Sequence, residues 1–534
     1  MILNFNDLTK EETISLNNFF DQIKFNIIEQ NELLYKKNQN LNWYFSATSS
    51  KDITQTNYIF LICQVLLCID YCKKNKVSLV KGLNSTQIKI VKKELKKSNL
   101  NFPSFDTKSQ LFIYFNNFKN FFTNLILFCV SKQIFKKFRI KNRVINLTDT
   151  FVLPSYYDNG KNDRWFYNLK RFSSESFFNK NLFFTNVLMG PLKLYKYRKS
   201  LKLEKDKRLY PESYFKYSFF LKYLWNVFKS LSSNIDDFYV SQVDFKDLLK
   251  NDLFINIFNT STYRAWMIYF SFSELKKNKI LVENAIDWNE NQLIDKSFNF
   301  SLNKFFPSTK IKGYRCFSTT NKFIYLLNSN FEVENHLSPK ELHLGFDYKN
   351  KFDNLNISKK IKLVDAPNLR SSKTPKTKLD FIKKSNLVLV ATPINFDLTK
   401  YLFDLVSKIV SKNDLPSYSF NIKLHPNFNI NYWINKYPKL KDMLVKEITD
   451  LRSYHFVISS QSSLCLEAYM SSCNVAIYCK KSQLDQIPFY FNDRDKGIKK
   501  IYDYNDFLSF VKKAKHFKPN LYHKRLYETD YKIF

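Results

Sequence analysis

Two short polar motifs carry the side chains best suited to holding a phosphate-bearing ligand. His425 and Pro426 follow an apolar run at 420–424, and a serine-rich motif begins at the end of another apolar run, 455–459. An imidazole can donate a hydrogen bond to phosphate, and hydroxyls with free N–H groups at a helix N-terminus favour an anion. The motifs predict an anion site. A plain serine N-cap and a turn histidine without a role remain open alternatives. The serines of the motif are Ser459, Ser460, Ser462 and Ser463.

Two more side chains extend this predicted site. Glu467 comes four residues after Ser463, on the same helical face and one turn further on. Its carboxylate can accept two hydrogen bonds from ribose hydroxyls, although an ordinary surface position on the helix is an equally open interpretation. Thr392 ends a third apolar run, 386–391, and would bring a third loop to the site.

A group-transfer reaction at such a site also needs a base that faces the nucleotide. The sequence has no histidine before His336, so a base in the N-terminal half is an aspartate or a glutamate unless the substrate supplies one. We choose Glu283 first because it follows the apolar run 280–282, although each candidate is more often a cap or an ion-pair partner. The acidic residues at expected strand ends are Asp149, Asp158, Asp163 and Glu283.

The elements that must position these side chains are parallel strands. Apolar runs at 386–391, 420–424, 455–459 and 474–478 alternate with segments of helical spacing. Such alternation predicts βαβ units and a doubly wound sheet, in which ligands bind beyond the carboxyl ends of the strands. The polar motifs would then share one sheet edge.

The N-terminal half alternates strand and helix less cleanly, with strands predicted at 77–80, 144–147 and 280–282. The segment 341–347 and the Asn- and Lys-rich run after it, 348–360, make the best inter-domain joint. We therefore predict an N-terminal α/β domain with helical insertions at 1–340 and a nucleotide-binding Rossmann-like domain at 341–534.

Composition narrows the function classes. The chain has 534 residues, enough for two or three domains. Its net charge of +36 invites a nucleic-acid interpretation, but the excess Lys and Arg are spread along a sequence uniformly rich in Lys, Asn, Ile, Phe and Tyr. We therefore expect no nucleic-acid partner, whereas a basic face that meets anionic lipid or a phosphate-bearing substrate fits the charge.

Several motifs are missing from the sequence. Its six glycines are never neighbours, so a Walker loop and a G-x-G-x-x-G fingerprint are both excluded. The eight cysteines form no C-x-x-C pair and the histidines lack metal-ligand spacing, which predicts a reducing compartment and no metal site. The start of the chain is too polar for a signal peptide, and the apolar segment 111–130 contains four asparagines, which favours a buried or interfacial helix over a membrane span.

The motifs together resemble a known group. Lys423-Leu-His-Pro426, followed by Ser459-Ser-Gln-Ser-Ser-Leu-Cys-Leu-Glu-Ala468, resembles the C-terminal domain of bacterial surface-polysaccharide glycosyltransferases of GT-B type. That group includes polysialyltransferases and capsule Kdo transferases, which have an HP motif and an SS/ST motif around a CMP-sugar. Short islands of the N-terminal half resemble blocks of uncharacterised surface-carbohydrate biosynthesis proteins, namely 42–52, 149–165, 283–288 and 313–314.

The resemblance implies roles for individual residues. His425, Ser462 and Ser463 would contact nucleotide phosphate or base, and Glu467 would lie near the ribose. The acidic block that holds the base in polysialyltransferases is not intact here, and its nearest match, Tyr157-Asp-Asn-Gly160, makes Asp158 the second candidate base. GT-B enzymes as a class need no bound metal, in agreement with the missing ligand motifs.

We therefore expect an α/β protein of GT-B-like architecture, with two Rossmann-like domains facing across a cleft. Its expected activity is transfer of a sugar from a nucleotide-activated donor, with a CMP-sugar of Kdo or sialic-acid type favoured, to a growing glycan that is lipid-linked. No cofactor is expected, and the expected location is the cytoplasm, with a peripheral position on an anionic membrane surface. A non-catalytic carbohydrate-assembly protein and a basic nucleic-acid-binding protein are the alternatives.

Overall fold

Two parallel β-sheets, one in each half of the chain, organise the protein in the computed structural model. The strands are β1 Ile2–Asn4, β2 Leu79–Lys81, β3 Val144–Val152, β4 Asn181–Val187, β5 Arg208–Leu209, β6 Tyr239–Val240, β7 Val243–Asp244, β8 Leu281–Trp288, β9 Lys310–Arg315, β10 Glu341–Leu344, β11 Lys362–Asp365, β12 Leu387–Ala391, β13 Ser419–Lys423, β14 Phe456–Ser459, β15 Asn474–Tyr478 and β16 Ile498–Ile501. The structure describes residues 2–75, 77–96, 101–102, 107–135, 140, 142–154, 156, 166, 168–204, 207–315, 323–344, 358–367, 369, 386–425, 428–448, 450–460, 462, 464–485, 487, 497–514 and 533–534.

Helices surround both sheets. The α-helices are α1 Lys10–Lys37, α2 Leu41–Tyr44, α3 Tyr58–Lys74, α4 Ser85–Leu95, α5 Thr107–Ile134, α6 Glu175–Asn179, α7 Pro191–Lys196, α8 Arg198–Leu203, α9 Tyr217–Ser230, α10 Lys246–Ile255, α11 Thr260–Lys277, α12 Leu293–Phe305, α13 Asn330–Glu334, α14 Phe396–Lys412, α15 Ile430–Lys436, α16 Leu464–Met470 and α17 Tyr504–Lys513. Short 3₁₀ helices occupy Thr48–Ser50, Pro211–Tyr214, Ile324–Leu326, Pro438–Met443 and Leu451–Ser453.

The first sheet has seven parallel strands in the order β11-β10-β9-β8-β3-β4-β5. The chain enters at β3, moves outward through β4 and β5, and then returns to β8 on the other side of β3. The strand order therefore reverses between β3 and β8, and a crevice forms beyond the carboxyl ends of strands at such a switch point.

The second sheet has five parallel strands in the order β13-β12-β14-β15-β16. Its strands are apolar on both sides because helices cover both faces. On one face Val388, Val390 and Ile458 pack with α14 and α17, and on the other Leu389 and Val457 pack with α16. The strand order of this sheet reverses between β12 and β14, and the predicted α/β fold with two Rossmann-like units is confirmed.

The predicted domain boundary needs a correction. Strands β10 and β11 pair with each other and with β9, so residues 341–365 belong to the first sheet. The N-terminal unit therefore extends through Asp365, beyond the boundary predicted after residue 340. Of the predicted joint at 341–360, residues 341–344 form β10 and are not a joint, whereas 345–357 lie outside the described residues.

Helix α1 connects the two units. A capping box of Thr9 and Glu12 fixes its start, where both side chains satisfy backbone N–H groups. Near this start, Leu8 N donates to Ser482 Oγ at 2.7 Å and Asp485 N donates to Asn17 Oδ1 at 2.8 Å. These contacts join α1 to the loop that follows β15 in the second sheet.

The chain end also returns to the N-terminal unit. Phe534 stacks on Phe177 with ring centroids 5.1 Å apart, and Lys312 Nζ donates to Ile533 O at 2.7 Å. Ile533 is fully buried among aromatic residues beside β8 and β9. The second unit is therefore joined to the first at both of its ends.

Candidate functional site

The carboxyl edge of the second sheet brings together three of the predicted site residues. Thr392 follows β12, His425 follows β13 and Ser459 ends β14, and β12 lies between the other two strands. The His425 N–H donates to Thr392 Oγ1 at 2.8 Å, and Ser459 Oγ donates to Ala391 O at 2.5 Å. Since neighbouring strands lie about 4.8 Å apart, the loops after β13 and β14 flank the switch point at roughly 10 Å from each other.

The serine hydroxyls are partly used inside the protein. Ser459 is fully buried, and besides its bond to Ala391 it also approaches Cys465 on the following helix. Ser462 Oγ accepts a hydrogen bond from Leu464 N at 3.3 Å, which is the N-cap role left open as an alternative. Helix α16 is only seven residues long, so the geometry of the loop, more than a helix dipole, defines this part of the site.

The other residues predicted to bind the nucleotide lie after β13 and after β14. Ser460 is buried next to Ser459, and Glu467 is exposed on α16, one turn beyond the loop. The His425 ring is half-buried and meets Phe428 edge to face, with ring centroids 6.2 Å apart. Pro426 and Ser463 lie outside the described residues, so their predicted roles stay predictions.

The first sheet carries a buried carboxyl cluster at its own switch point. Asp149 in β3, Asp287 in β8 and Asp295 in the first turn of α12 have carboxylate oxygens within 4.8 Å of one another. Burial raises the pKa of each carboxyl, and the neighbouring Asp287 charge raises the pKa of Asp149 and Asp295 further. The pKa of Asp287 is raised to about 6, mainly by burial.

Amide groups orient this cluster. Asn289 and Asn299 donate to Asp287 Oδ2 at 2.9 and 2.8 Å, whereas Asp287 Oδ1 is buried without a hydrogen-bond partner in the described part of the chain. Asn186 in β4 donates to Asp149 Oδ1 at 2.9 Å. Oxygen-rich groups of this kind suit either shared protons or a hard cation such as Mg²⁺ or Ca²⁺. Because the pKa of all three carboxyls is raised, they hold protons more readily than free carboxyls do.

Glu290 is the carboxylate of this region that reaches the surface. It lies two residues beyond the end of β8 and is half-buried. Its two oxygens accept from Trp288 Nε1 at 2.9 Å and from Gln292 Nε2 at 3.1 Å, so the side chain is held in one orientation at the carboxyl edge.

A second buried group of charges adjoins this edge. Glu332 accepts from Lys296 Nζ at 2.7 Å and from Lys51 Nζ at 3.2 Å, and all three side chains are at most 1% exposed. Lys296 also donates to Tyr35 OH at 2.9 Å. The pKa of Glu332 is about 2 because the two ammonium groups outweigh the effect of burial.

The placement predicted for Glu283 is wrong. Strand β8 does not end at 282 but continues to Trp288, so Glu283 lies near its amino end, away from the carboxyl edge. Its side chain is 53% exposed and is paired with Lys180 at 3.5 Å. Asp158 and Asp163 lie outside the described residues, and Asp149 is the candidate that the structure brings to a switch point.

Sequence reasoning missed Asp287, Glu290 and Asp295. Asp287 and Glu290 lie five and eight residues beyond the predicted strand 280–282, so a longer predicted strand would have placed them at the right edge. Asp295 accepts from Gln292 N at 3.0 Å as part of a capping box, and this local signal is visible in the sequence. The meeting of Asp287 with Asp149 depends on strand order and has no local signal.

Helix α1 runs from one carboxyl edge to the other. Asn17 contacts the loop after β15, and Tyr35 contacts Lys296 beyond β8. The eighteen residues between them correspond to about 27 Å of helix, at about 1.5 Å per residue. Helix α1 therefore links the loop after β15 in the second sheet to the helix that follows β8 in the first.

Comparisons with known proteins add little to what the geometry of the site shows. No protein-family model and no curated protein matches the chain. Solved structures with some likeness include a Staphylococcus aureus MnaA–UDP co-structure, with TM-score 0.32, 8% identity, and coverage of 62% of this chain and 78% of that chain.

Two more show similar values. The N-terminal domain of Candida albicans trehalose-6-phosphate phosphatase has a TM-score of 0.33 and 12% identity, over 64% of this chain and 85% of that chain. The spinosyn rhamnosyltransferase SpnG, complexed with thymidine diphosphate, has a TM-score of 0.30 and 8% identity, over 62% of this chain and 80% of that chain. At TM-scores this low, the function has to be argued from the site itself.

Among the described residues, no helix combines the length and the apolar character that crossing a bilayer requires.

Proposed function

We propose that this protein is a glycosyltransferase that moves a sugar from a nucleotide-activated donor to a glycan acceptor, with a CMP-sugar of Kdo or sialic-acid type favoured. The observation that carries the proposal is the meeting of Thr392, His425 and the serine loop at the switch point between β12 and β14. In a doubly wound sheet this is where a nucleotide binds.

The donor would lie across the loops after β12, β13 and β14. The His425 imidazole would donate to a phosphate oxygen, because the backbone bond to Thr392 holds the residue at the edge of the crevice. Hydroxyls of the serine loop, Ser460, Ser462 and Ser463, would complete the phosphate contacts, and Glu467 would accept from the ribose. Ser459 would act as a positioning residue, since its hydroxyl is bonded to Ala391.

The acceptor would be activated from the first sheet. Glu290 is our proposed base because it is the half-exposed carboxylate at the carboxyl edge, oriented by Trp288 and Gln292. It would take the proton of the acceptor hydroxyl while that oxygen forms the bond to the donor sugar. The bond between the sugar and its phosphate breaks in the same reaction, and the N–H and O–H donors around His425 would stabilise the departing phosphate.

Nucleotide binding tests the donor half of the proposal. CMP, UDP, GDP and TDP at millimolar concentration should be compared by thermal shift, and CMP is expected to raise the Tm most. His425→Ala should lose most of that shift. His455→Ala is the matched control, because His455 precedes β14 in the same sheet and so lies at the opposite, amino edge. No shift with any nucleotide, or equal loss in both variants, would contradict the assigned site.

Measurements of turnover test the acceptor half of the proposal. With a nucleotide-sugar that the thermal-shift panel selects, Glu290→Gln should lower kcat by about 10² or more, because general-base catalysis contributes at least that much. Glu283→Gln provides the comparison at the other end of the same strand, and it also tests the base first predicted from the sequence. Full activity of Glu290→Gln together with loss of activity in Glu283→Gln would reverse our assignment.

Two outcomes would favour the alternatives. Nucleotide binding without turnover for any glycan acceptor would indicate a carbohydrate-assembly protein that keeps the fold without the activity. Tight, steeply salt-dependent RNA binding without any response to nucleotides would indicate a nucleic-acid-binding protein.

A further inference from the structure

Helix α5 buries polar side chains and exposes apolar ones, the reverse of an ordinary surface helix. Its polar side chains Asn117 and Asn124 point inward, where they donate to Phe254 O at 3.1 Å and to Phe258 O at 2.9 Å. Asn124 also donates to Tyr223 OH at 3.2 Å. A helix that buries its amides would normally expose polar residues on the opposite side.

The outer side of α5 is apolar instead. Phe115, Phe118, Phe122 and Ile126 follow helical spacing along one stripe, and Phe118 is 63% exposed. Leaving such side chains in water is unfavourable, and contiguous exposed apolar surface marks an interaction site in soluble proteins.

Helix α9 continues this surface. Its inner side buries Phe219, Phe220, Tyr223 and Val227 in the core. Its outer side exposes a second stripe, and Trp225 is 64% exposed. We call the two stripes together the aromatic face, defined by Phe115, Phe118, Phe122 and Ile126 of α5 and by Tyr217, Leu221, Trp225 and Phe228 of α9.

The two stripes are joined through the rings beneath them. Phe121 and Phe128 of α5 lie 6.3 and 5.3 Å from Phe220 of α9, measured between ring centroids. Tyr217 of α9 lies 6.2 Å from Phe128. Helix α7 packs next to them, since its Leu194 shares a cavity wall with Leu127 of α5, and its Leu192 is 88% exposed.

The positive charge around the aromatic face indicates which kind of partner covers it. The helices α5, α7, α8 and α9 contain ten lysines and arginines and no aspartate or glutamate. Exposed lysines alternate with the apolar residues, and Lys229 lies over the Trp225 ring with its ammonium 4.9 Å from the centroid. A second copy of the chain would bring the same positive charge to the contact, whereas an anionic lipid surface complements it.

We infer that the aromatic face is the surface by which this protein docks on an anionic lipid bilayer, with the rings inserted between acyl chains and the lysines at the level of the headgroups. Aromatic and basic side chains are the types that favour this boundary region. The inference stands apart from the proposed function, because it concerns another face and needs neither a nucleotide nor turnover.

Vesicle binding tests the inference with the full-length protein. It should co-sediment with vesicles of equimolar phosphatidylcholine and phosphatidylglycerol, and more weakly with phosphatidylcholine alone or in high salt. Trp225→Ser combined with Phe228→Ser should lower the partition coefficient by about tenfold or more, as expected for removing two large apolar side chains from the interface. The matched control is Ile430→Ser with Tyr432→Ser, which changes two exposed apolar residues of α15 in the other unit.

Charge and a local optical signal provide the second readout. Lys222→Glu with Lys229→Glu should weaken binding to the anionic vesicles by about tenfold or more, since each basic residue near the surface strengthens the attraction to anionic lipid. The same change at Lys439 and Lys441, which are exposed in the C-terminal unit, should have little effect. The blue shift of tryptophan emission on vesicle binding should largely disappear in Trp225→Phe, which keeps an apolar ring.

Three results would overturn the inference. One is a wild-type protein that fails to bind the anionic vesicles. Another is binding that the Trp225 and Phe228 substitutions leave unchanged. The third is a dimer, measured by sedimentation velocity, that those substitutions dissociate, because it would assign the aromatic face to a second copy of the chain.

Discussion

Replacing Glu332 by glutamine should destabilise the N-terminal unit at neutral pH. Glu332 is fully buried and neutralises part of the charge of Lys51 and Lys296, which are also buried. Glutamine has nearly the same shape but no charge, so both ammonium groups would lose their carboxylate partner. Removing one partner of a buried ion pair typically costs about 3–5 kcal/mol.

The pKa of Glu332 gives a second estimate of the same quantity. Its pKa is about 2 in the folded protein, against an ordinary value of 4.5. That difference corresponds to about 3 kcal/mol of stability for the ionised form. Because the folded-state pKa is lowered, this contribution is complete above the ordinary value and is lost as the pH falls through about 2.

Differential scanning calorimetry can measure the effect. The N-terminal unit extends to Asp365, and unfolding entropy is about 2.1 cal/mol/K per residue, so 3–5 kcal/mol corresponds to a fall in Tm of about 4–7 °C. Below pH 4 the gap between wild type and Glu332→Gln should narrow. Glu334→Gln, on the same helix, removes an exposed carboxylate that is paired with Lys360, and should leave the Tm unchanged.

A Glu332→Gln variant with the same Tm as the wild type at pH 7 would contradict this prediction. An equal gap in Tm between the two proteins at pH 7 and at pH 3 would also contradict it, because the loss of stability would then come from packing and not from charge.

Three further predictions concern single positions. Asp287→Asn should raise the Tm above pH 6 and leave it nearly unchanged at pH 4, because burial raises the pKa of this carboxyl to about 6 and the ionised form destabilises the fold. A lower Tm of the variant at pH 8 would indicate a bound cation instead. A wild-type Tm that rises with Mg²⁺ and falls with EDTA would indicate the same. Gly313→Ala should cost about 1–3 kcal/mol in urea unfolding, since its Cβ would lie 2.6 Å from Pro339 Cγ, whereas Gly190→Ala meets no atom within 4 Å and serves as the control. Thr392→Val should reduce the thermal shift given by the nucleotide, because the His425 N–H loses its acceptor, while Thr392→Ser, which keeps the hydroxyl, should preserve the shift.

The second sheet was well predicted because its strands are continuous apolar runs. The run at 474–478 matches β15 residue for residue, and the runs at 386–391, 420–424 and 455–459 each differ from their strands by one residue at one or both ends. The edge strand β16 was missed, since Ile498-Lys-Lys-Ile501 is half polar. A strand at the edge of a sheet often carries lysines, which weakens the apolar signal.

The first sheet was predicted less well for a reason tied to its site. Strand β3 continues for five residues beyond the predicted 144–147, through Thr148-Asp-Thr150, and β8 continues past 282 through Glu283-Asn284 to Asp287. Polar residues inside a buried strand break the apolar pattern that identifies it. They are tolerated here in part because Asn186 donates to Asp149 Oδ1 and Asn289 and Asn299 donate to Asp287 Oδ2. The local hydrophobic pattern of a sequence disagrees with its fold mainly where the polar residues of a site lie inside the core.

The predicted site in the second sheet could be found because its residues follow recognisable strands. The environment of individual aromatic residues is more difficult to predict from the sequence. Phe177, Phe184, Phe219 and Phe220 are buried and belong to the core. The exposed rings of the aromatic face lie on helices whose composition is similar to that of helices with buried rings. Only the three-dimensional packing distinguishes the exposed rings from the buried ones.

The contacts of α1 impose an order on the biogenesis of the protein. Leu8 meets Ser482 across 474 residues of sequence, so this contact beside the start of the first long helix cannot form until residue 482 has been made. At about 5–20 residues per second, a ribosome needs roughly 25 to 95 s to make the intervening polypeptide. During that interval the residues of α1 that contact the loop after β15 remain uncovered, and we expect the N-terminal unit expressed alone to expose the same surface.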